Sequence, residues 1–575
     1  MAPGGMDLFT PKLVTILREG YGLAHLKADA VAGLTVAIVA LPLSMAIAIA
    51  SGMSPESGLY TAIVGGFLVS ALGGSRFQIG GPAGAFIVLV AATVMQHGVD
   101  GVILATFLAG LMLLAIGLLR LGTFIKFIPY PVTVGFTAGI AVIIFASQLR
   151  DLLGLTLPGA EPGPLTDKLP ALAAALPTLN AAAAAVAALT VAAILAVRRW
   201  RPGWPALLIA VTATTALAAL AGLPVETIGT RFGGVPQALP LPHLPDLTPE
   251  RIVAVLPSAV AFALLGSIES LLSAVVADSM TGRRHRSNAE LVAQGAANMG
   301  SALFGGFCVT GTIARTATNV RAGARGPVAG MLHALFLLAF ILVAAPLASY
   351  IPLAALAGVL AVVAWNMAEK HAFATLLRAS WGDAAVLLAT FLLVVFRDLT
   401  EGIVVGVALG ALLFLHRMAQ SAAVESVPLL AEPDRPDTAP DGTRAAYDAA
   451  LATDPDIAVC RISGAFFFGT AAGVAAALER TGAQPKAWVV DFAAVPLIDS
   501  TAAATVEGFA RKARGQGAAV WIAGARPAVR RALLTHGVRP PLARYRSTLA
   551  VAIAAARRRV DASNGARRSA PATAG

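Results

Sequence analysis

The sequence predicts an α-helical polytopic membrane protein of about 14 transmembrane segments in a 7+7 inverted repeat, followed by a small α/β domain. Three observations carry this reading. Mean hydropathy is +0.78, 57% of residues are hydrophobic and only 13% are charged, about half the share usual in soluble proteins. Two Gly-rich apolar stretches, starting at Phe77 and Phe307, lie 230 positions apart and resemble each other. Near Gln420 the long apolar blocks stop, and a compact alternation of strand-like and helix-like runs takes over soon after.

Residues 1–27 read as a cytoplasmic N-terminus: Lys12, Arg18, Glu19 and Lys27 precede the first span, and no cleavage site closes a short apolar core as in a signal peptide. Residues 28–420 form the membrane region. Windows such as Ala28–Ala50, Gly101–Leu119, Ala181–Val197, Ile252–Ala277 and Phe391–Leu415 are long enough to cross a hydrocarbon core as helices. The net charge of +11 suggests nucleic acid, but the cations flank the apolar blocks. Arg120 with Lys126, Arg198–Arg201, Arg283–Arg286, Arg321 with Arg325, and Lys370 with Arg378 all follow even-numbered segments. Basic loops mark the cytoplasmic side, so both termini are expected there, the lipid bilayer replaces nucleic acid as the partner, and a bacterial inner membrane is the expected location.

The two similar stretches read Phe77-Gln78-Ile79-Gly80-Gly81-Pro82-Ala83-Gly84-Ala85 and Phe307-Cys308-Val309-Thr310-Gly311-Thr312-Ile313-Ala314-Arg315. The same 230-residue shift carries the first long span onto Ser258–Met280, and an odd number of segments per half requires inverted topology. Non-helical backbone survives at membrane depth only where protein or a cavity surrounds it. Each stretch therefore predicts a short extended piece followed by a half-helix whose free N–H groups and dipole favour an anion. The candidate substrate site is Gly81, Pro82, Ala83, Gly84 and Ala85 with Thr310, Gly311, Thr312, Ile313, Ala314 and Arg315. Glycines that only permit close helix packing are the competing reading. Arg315 adds a fixed positive charge suited to bidentate binding of sulfate or carboxylate. Glu269 stands in the middle of an otherwise apolar span, where an ionisable group is a functional candidate by default, and Ser273 shares its helical face. A static Glu269–Arg315 salt bridge is the competing reading.

Residues 421–455, rich in Pro, Asp, Glu and Ala, read as a linker. Residues 456–560 form the small domain, with strands at Ile457–Ile462, Lys486–Phe492 and Ala518–Ala523 and helices at Thr470–Arg480, Ser500–Arg514 and Pro527–Leu534. Residues 561–575 are expected to be a disordered tail. Cys308 and Cys460 fall in different domains, so no disulfide is expected. No histidine set has metal-ligand spacing, and no cofactor is implied. A phosphate-binding Gly-Lys-Ser/Thr loop and a nucleophile–base motif are both missing from the sequence, which argues against an enzyme. Ser287 with Glu290 fits a capping box, and Arg397, Asp398 and Glu401 fit an interfacial turn.

On these residues the chain resembles the SulP family of anion transporters, the sulfate permeases, together with their C-terminal STAS domain. The resemblance rests on Ala40-Leu41-Pro42 through Gly58-Leu59-Tyr60-Thr61-Ala62, on Gly81–Ala85, and on Gly311 through Asn319 to Gly323-Ala324-Arg325. It implies a core of segments 1–4 and 8–11 moving against a gate of segments 5–7 and 12–14, elevator-fashion, with substrate between segments 3 and 10. It implies a homodimer, and secondary-active transport coupled to protons or sodium through Glu269 and Ser273; protons are favoured here. Leu43-Ser44 follows Pro42 where many sulfate-type members carry glutamine. The runs Ile268–Leu272 and Ala364–Met367 look more like a bacterial branch moving C4-dicarboxylates. Sulfate, bicarbonate and dicarboxylates all stay open as substrates. Ser500, in Ile498-Asp499-Ser500-Thr501, matches the phosphorylatable position of related regulatory domains and equally fits a plain N-cap. The cytoplasmic partner of that domain is not implied. An anion channel or exchanger on the same fold, with no use for Glu269, is the alternative.

Overall fold

The computed structural model describes residues 9–123, 128–159, 161–162, 164–202, 204–397, 399–420, 423–426, 456–479 and 485–568. Most of the predicted linker, together with Lys126 and Asp398, lies outside these. The chain divides into two compact units, Met1–Gly410 and Ala411–Gly575.

The first unit runs α1 (Lys12–Arg18), α2 (Leu23–Ala50), α3 (Pro55–Tyr60), α4 (Gly66–Leu72), β1 (Gly80–Gly81) and α5 (Ile87–Leu118). There follow α6 (Tyr130–Leu153), α7 (Leu165–Ala174), α8 (Ala181–Trp200), α9 (Ala206–Leu220) and α10 (Ile228–Phe232). The second half holds α11 (Pro249–Thr281), α12 (Ser287–Leu303), β2 (Thr310–Gly311), α13 (Ile313–Arg321) and α14 (Val328–Ala348). It closes with α15 (Leu353–Met367), α16 (Lys370–Ala379), α17 (Trp381–Phe396) and α18 (Leu399–Gln420), whose residues from Ala411 on belong to the second unit. Among the described residues, eight helical stretches are long and apolar enough to cross a membrane, and α9 and α17 are shorter apolar helices. At 32 residues α5 is too long for one crossing. Gly98 divides it, because φ of 70° and ψ of −176° break the helix there, a conformation glycine adopts without steric cost. With that break, α3–α4, α12 and β2–α13, seven segments precede α10 and seven follow it.

Two helix groups share this unit. In one, α5 packs on α11 and α12 while α2 packs on α14; in the other, α6 packs on α15 and α17, and α8 on α9 and α15. Small residues allow the approach. A Cβ added at Gly110 of α5 would stand 2.8 Å from the Gly295 carbonyl of α12, and one at Gly295 would stand 2.7 Å from the Gly110 carbonyl.

The second unit is a five-stranded sheet in the order β3 (Ala423–Ser426), β4 (Ile457–Ser463), β5 (Ala487–Asp491), β6 (Ala519–Ala523) and β7 (Ala543–Arg546), parallel except for β3. Helices α19 (Phe468–Glu479), α20 (Ser500–Gly515), α21 (Pro527–Thr535) and α22 (Leu549–Arg568) complete it. Val506 and Ala510 of α20 and Val529 and Leu533 of α21 share one apolar cluster with the sheet, and Ala552, Ala556 and Val560 of α22 share another with Val489 and Trp521.

Four expectations are corrected. The linker contains a strand, β3, which pairs antiparallel with β4. The tail is helical to Arg568, because Ala552, Ala556 and Val560 recur at helical spacing and bury against the sheet. Asp499, not Ser500, caps α20: its carboxylate accepts the Ala502 N–H at 2.8 Å, leaving Ser500 exposed at the first helical position. Glu290 does not close a capping box with Ser287. Arg286 occupies the cap of α12, and the Glu290 carboxylate accepts the Ser75 N–H at 2.9 Å.

Candidate anion-binding site

The two Gly-rich stretches cross as a two-residue antiparallel ladder, with Gly80 opposite Gly311 and Gly81 opposite Thr310. A shift of 230 positions exchanges these two pairs, as a two-fold relation between the halves requires. The extended approaches to the ladder have no helix to satisfy their backbone, so side chains do it. The Asn298 amide clamps Val309, accepting its N–H at 3.0 Å and donating to its carbonyl at 2.8 Å. Thr61 Oγ1 accepts the Phe307 N–H at 2.9 Å, and Ser301 Oγ donates to the Phe307 carbonyl at 2.8 Å. In the other repeat, Thr316 Oγ1 accepts the Ile79 N–H at 3.1 Å and Asn319 Nδ2 donates to the Phe77 carbonyl at 2.9 Å.

Both ladder glycines at equivalent positions make room for a side chain rather than for a helix backbone. A Cβ on Gly81 would lie 2.1 Å from Arg315 Nη1, and one on Gly311 would lie 1.5 Å from Gln78 Nε2. These two glycines therefore do more than permit helix packing, which is the role Gly110 and Gly295 fill. Arg315 is 1% exposed. Its Nη2 donates to Ser44 Oγ at 3.1 Å and to the Pro82 carbonyl at 3.3 Å, while its buried Nε and Nη1 have no partner. Pro82 thus sits just ahead of the helical turn at Gly84–Phe86, and its carbonyl holds the guanidinium. In the second repeat α13 starts at Ile313, and its first intrahelical bond runs from the Thr316 N–H to the Thr312 carbonyl at 2.9 Å. The N–H groups of Ile313, Ala314 and Arg315 precede it and are the unpaired donors every helix start presents. Gly84 packs closely against Met367 of α15 and Ile144 of α6: an added Cβ would stand 3.3 Å from Met367 Sδ and 3.6 Å from Ile144 Cδ1.

Glu269 lies partly buried on α11 among the buried Ile268, Ser270 and Leu271. Among the described residues its carboxylate has no hydrogen bond and no ion pair, so the static pair with Arg315 is not formed. Three ties join this stretch of α11 to the crossing. Gln78 Nε2 donates to Ser270 Oγ at 2.8 Å and to its carbonyl at 3.2 Å. Thr310 Oγ1 donates to the Gly266 carbonyl at 3.2 Å, and Ser273 Oγ to Thr316 Oγ1 at 3.1 Å. Ser273 therefore meets the half-helix that carries Arg315.

Sequence reasoning overlooked Ser44, Gln78, Asn298 and Thr316. Asn298 had a legible signal: Glu290, Gln294, Asn298 and Ser301 form a polar stripe at helical spacing on an otherwise small-residue helix, all buried. Ser44 and Thr316 had none, since hydroxyls are common in such helices. Cys308 and Cys460 are both free.

A mostly helical membrane fold with two broken, crossed segments and an arginine buried at the crossing defines a polytopic transport protein. Comparison with known families matches residues 26–390 to the sulfate permease family and residues 448–551 to the STAS domain. The chain is 38% identical over 494 residues to the "Putative sulfate transporter YvdB" of Bacillus subtilis, covering 85% of this chain and 89% of that one. It is 30% identical over 524 residues to the bicarbonate transporter BicA of Picosynechococcus, covering 88% and 90%. The structure of the murine Slc26a9 anion transporter in the inward-facing state shares the fold, with TM-score 0.84 over 97% of this chain and 96% of that one at 18% identity. The chain belongs to the sulfate permease family, carries a C-terminal STAS domain, and is an anion transporter rather than an enzyme.

Proposed function

We propose that this chain moves a small oxyanion by secondary-active transport, with the anion bound at the crossing beside Arg315 and a proton carried by Glu269. The observation behind this is a pair of complementary deficits. Arg315 holds two buried N–H donors without acceptors, and Glu269 holds a carboxylate without donors. Charge and polar groups at membrane depth are costly when unpaired. One anion and one cation, taken up together, relieve both. Sodium is the second candidate for the cation. Sulfate and bicarbonate, named for two relatives, are the first substrates to test. A C4-dicarboxylate follows from the runs Ile268–Leu272 and Ala364–Met367.

The crossing, with α2–α5 and α11–α14, would move as one body against α6–α9 and α15–α18. The two groups touch at Gly84, which packs against Met367 and Ile144 of the second group, and a glycine there leaves no side chain to obstruct sliding. The working unit we propose is a homodimer in a bacterial inner membrane, both termini cytoplasmic, its STAS domain serving assembly or regulation through an unidentified partner.

Uptake of labelled sulfate, bicarbonate and succinate into proteoliposomes, under an inward proton gradient and then a sodium gradient, tests the reading. One anion should accumulate, and Glu269→Gln should abolish accumulation while retaining exchange of that anion. Undiminished accumulation by Glu269→Gln would overturn the coupling role and favour a channel or exchanger.

A further inference from the structure

Helix α16 joins α15 to α17 and is amphipathic. Its inner side carries Ala372, Phe373 and Leu376, which pack with Val134 of α6 and Leu387 of α17. The Phe373 ring meets Phe391 edge-on at 5.4 Å. The outer side carries His371, Thr375 and Arg378, spaced so that they fall on one stripe. Together with Ala374 and Ala379 they line a shallow groove of about 340 Å³.

The groove's flanks are those of a membrane–water interface. Trp365 is 66% exposed just before α16 and Trp381 is 86% exposed just after it. Indoles settle at headgroup level because one end is apolar and the other wet. Lys370 Nζ lies 4.1 Å from the Trp365 ring centre and donates to the Trp365 carbonyl at 2.6 Å. Arg378, in contrast, has no ion pair among the described residues. The nearest acidic groups in sequence lie beyond the two ends of α16, with Glu369 at its N-cap position, where its side chain makes no cap bond, and Asp383 accepting the Ser380 hydroxyl at 2.7 Å.

We propose that this groove binds the headgroup of an anionic phospholipid. Arg378 supplies a planar fork for the phosphate oxygens. The Thr375 hydroxyl already donates to the His371 carbonyl at 2.9 Å, so its oxygen is an acceptor for a headgroup hydroxyl. An amphipathic helix in the interfacial plane presents this chemistry where headgroups lie. Lipid fits better than free phosphate because Trp365, Trp381 and the 41%-exposed Leu377 set apolar surface beside the cation. The inference goes beyond the transport cycle and uses no residue of the anion site.

The test uses the purified full chain with dioleoyl phosphatidylglycerol and dioleoyl phosphatidylcholine as probes, and reads bound lipid by native mass spectrometry. Wild type should retain phosphatidylglycerol over phosphatidylcholine. Arg378→Gln should lose about fivefold of that preference, the size expected for one basic residue at an anionic surface. Arg378→Lys should lose less. Arg201→Gln, which removes another tryptophan-flanked arginine, should leave the preference intact. No preference in wild type, an equal loss in Arg201→Gln and Arg378→Gln, or displacement of the lipid by millimolar inorganic phosphate would each overturn the proposal.

Discussion

Gly81→Ala isolates the position of one guanidinium. The backbone at Gly81 does not lie in the left-handed region, so alanine fits it without strain, and the atom in the way is the far end of a flexible side chain. The added Cβ would stand 2.1 Å from Arg315 Nη1 and 3.1 Å from Cζ. Relieving that overlap requires the guanidinium to retreat by more than ~1 Å, since ordinary carbon–nitrogen contacts lie beyond ~3.4 Å. The bonds from Nη2 to Ser44 at 3.1 Å and to Pro82 at 3.3 Å are already near the outer limit and would not survive. Hydrogen bonds involving a charged group are worth about 1.5–3 kcal/mol, so losing the alignment of Arg315 should weaken anion binding by roughly 10- to 150-fold. The assay is the concentration dependence of uptake in proteoliposomes, with anion-induced thermal stabilisation in detergent as a second readout. If Gly81→Ala folds and takes up anion with wild-type KM, Arg315 does not hold the anion where we place it.

Asn298→Leu strips both clamps from Val309 and leaves a buried N–H and carbonyl unpaired. At about 1–3 kcal/mol for each, the protein should melt well below wild type, with Asn298→Asp intermediate because it retains the acceptor; equal melting temperatures would show that the clamp is dispensable. In the STAS domain, burial pushes the Cys460 thiol up to about 11 from an ordinary value near 9.0. The fold thus favours the neutral thiol, an advantage complete below about pH 9 and lost as the pH rises through 11. With Cys308 replaced by Ala, maleimide should label native Cys460 at pH 8 about a hundredfold more slowly than the unfolded chain, since thiolate is the reacting form; rapid native labelling would contradict the burial.

The fold was legible where a repeating physical demand leaves a compositional trace. Long apolar blocks, the 230-residue offset and the Gly-Gly-Pro and Thr-Gly-Thr interruptions placed the helices and the two breaks. The three central strands of the STAS domain showed as short apolar runs, and the observed β4, β5 and β6 match them closely. Edge strands did not show. The two residues of β7 with side chains toward one face are Arg544 and Arg546, and an edge strand needs only half a buried face. Helix α22 was masked by its arginines, although alanine and valine recur beneath them. At the crossing, Arg315 and Glu269 stood out because charge is rare at that depth. Their relation did not. Whether two such residues neutralise each other depends on the distance between α11 and α13 side chains, which only the packing determines. Ser44 and Gln78 became informative only once Gly81 and Gly311 were seen as sockets filled by Arg315 and by Gln78.

The ladder has a consequence for directionality. Because Gly80–Gly311 and Gly81–Thr310 change places under the repeat relation, the main chain at the crossing has no inside and no outside. A purely symmetric protein would offer the same face to either compartment, and net direction would come from the gradients alone. The asymmetry enters through side chains: arginine fills one socket, an uncharged amide fills its twin, and Glu269 of α11 has Val39 at the equivalent position of α2. Any chemical difference between the two faces of this crossing is thus written in a handful of substitutions laid over a backbone that is itself indifferent to orientation.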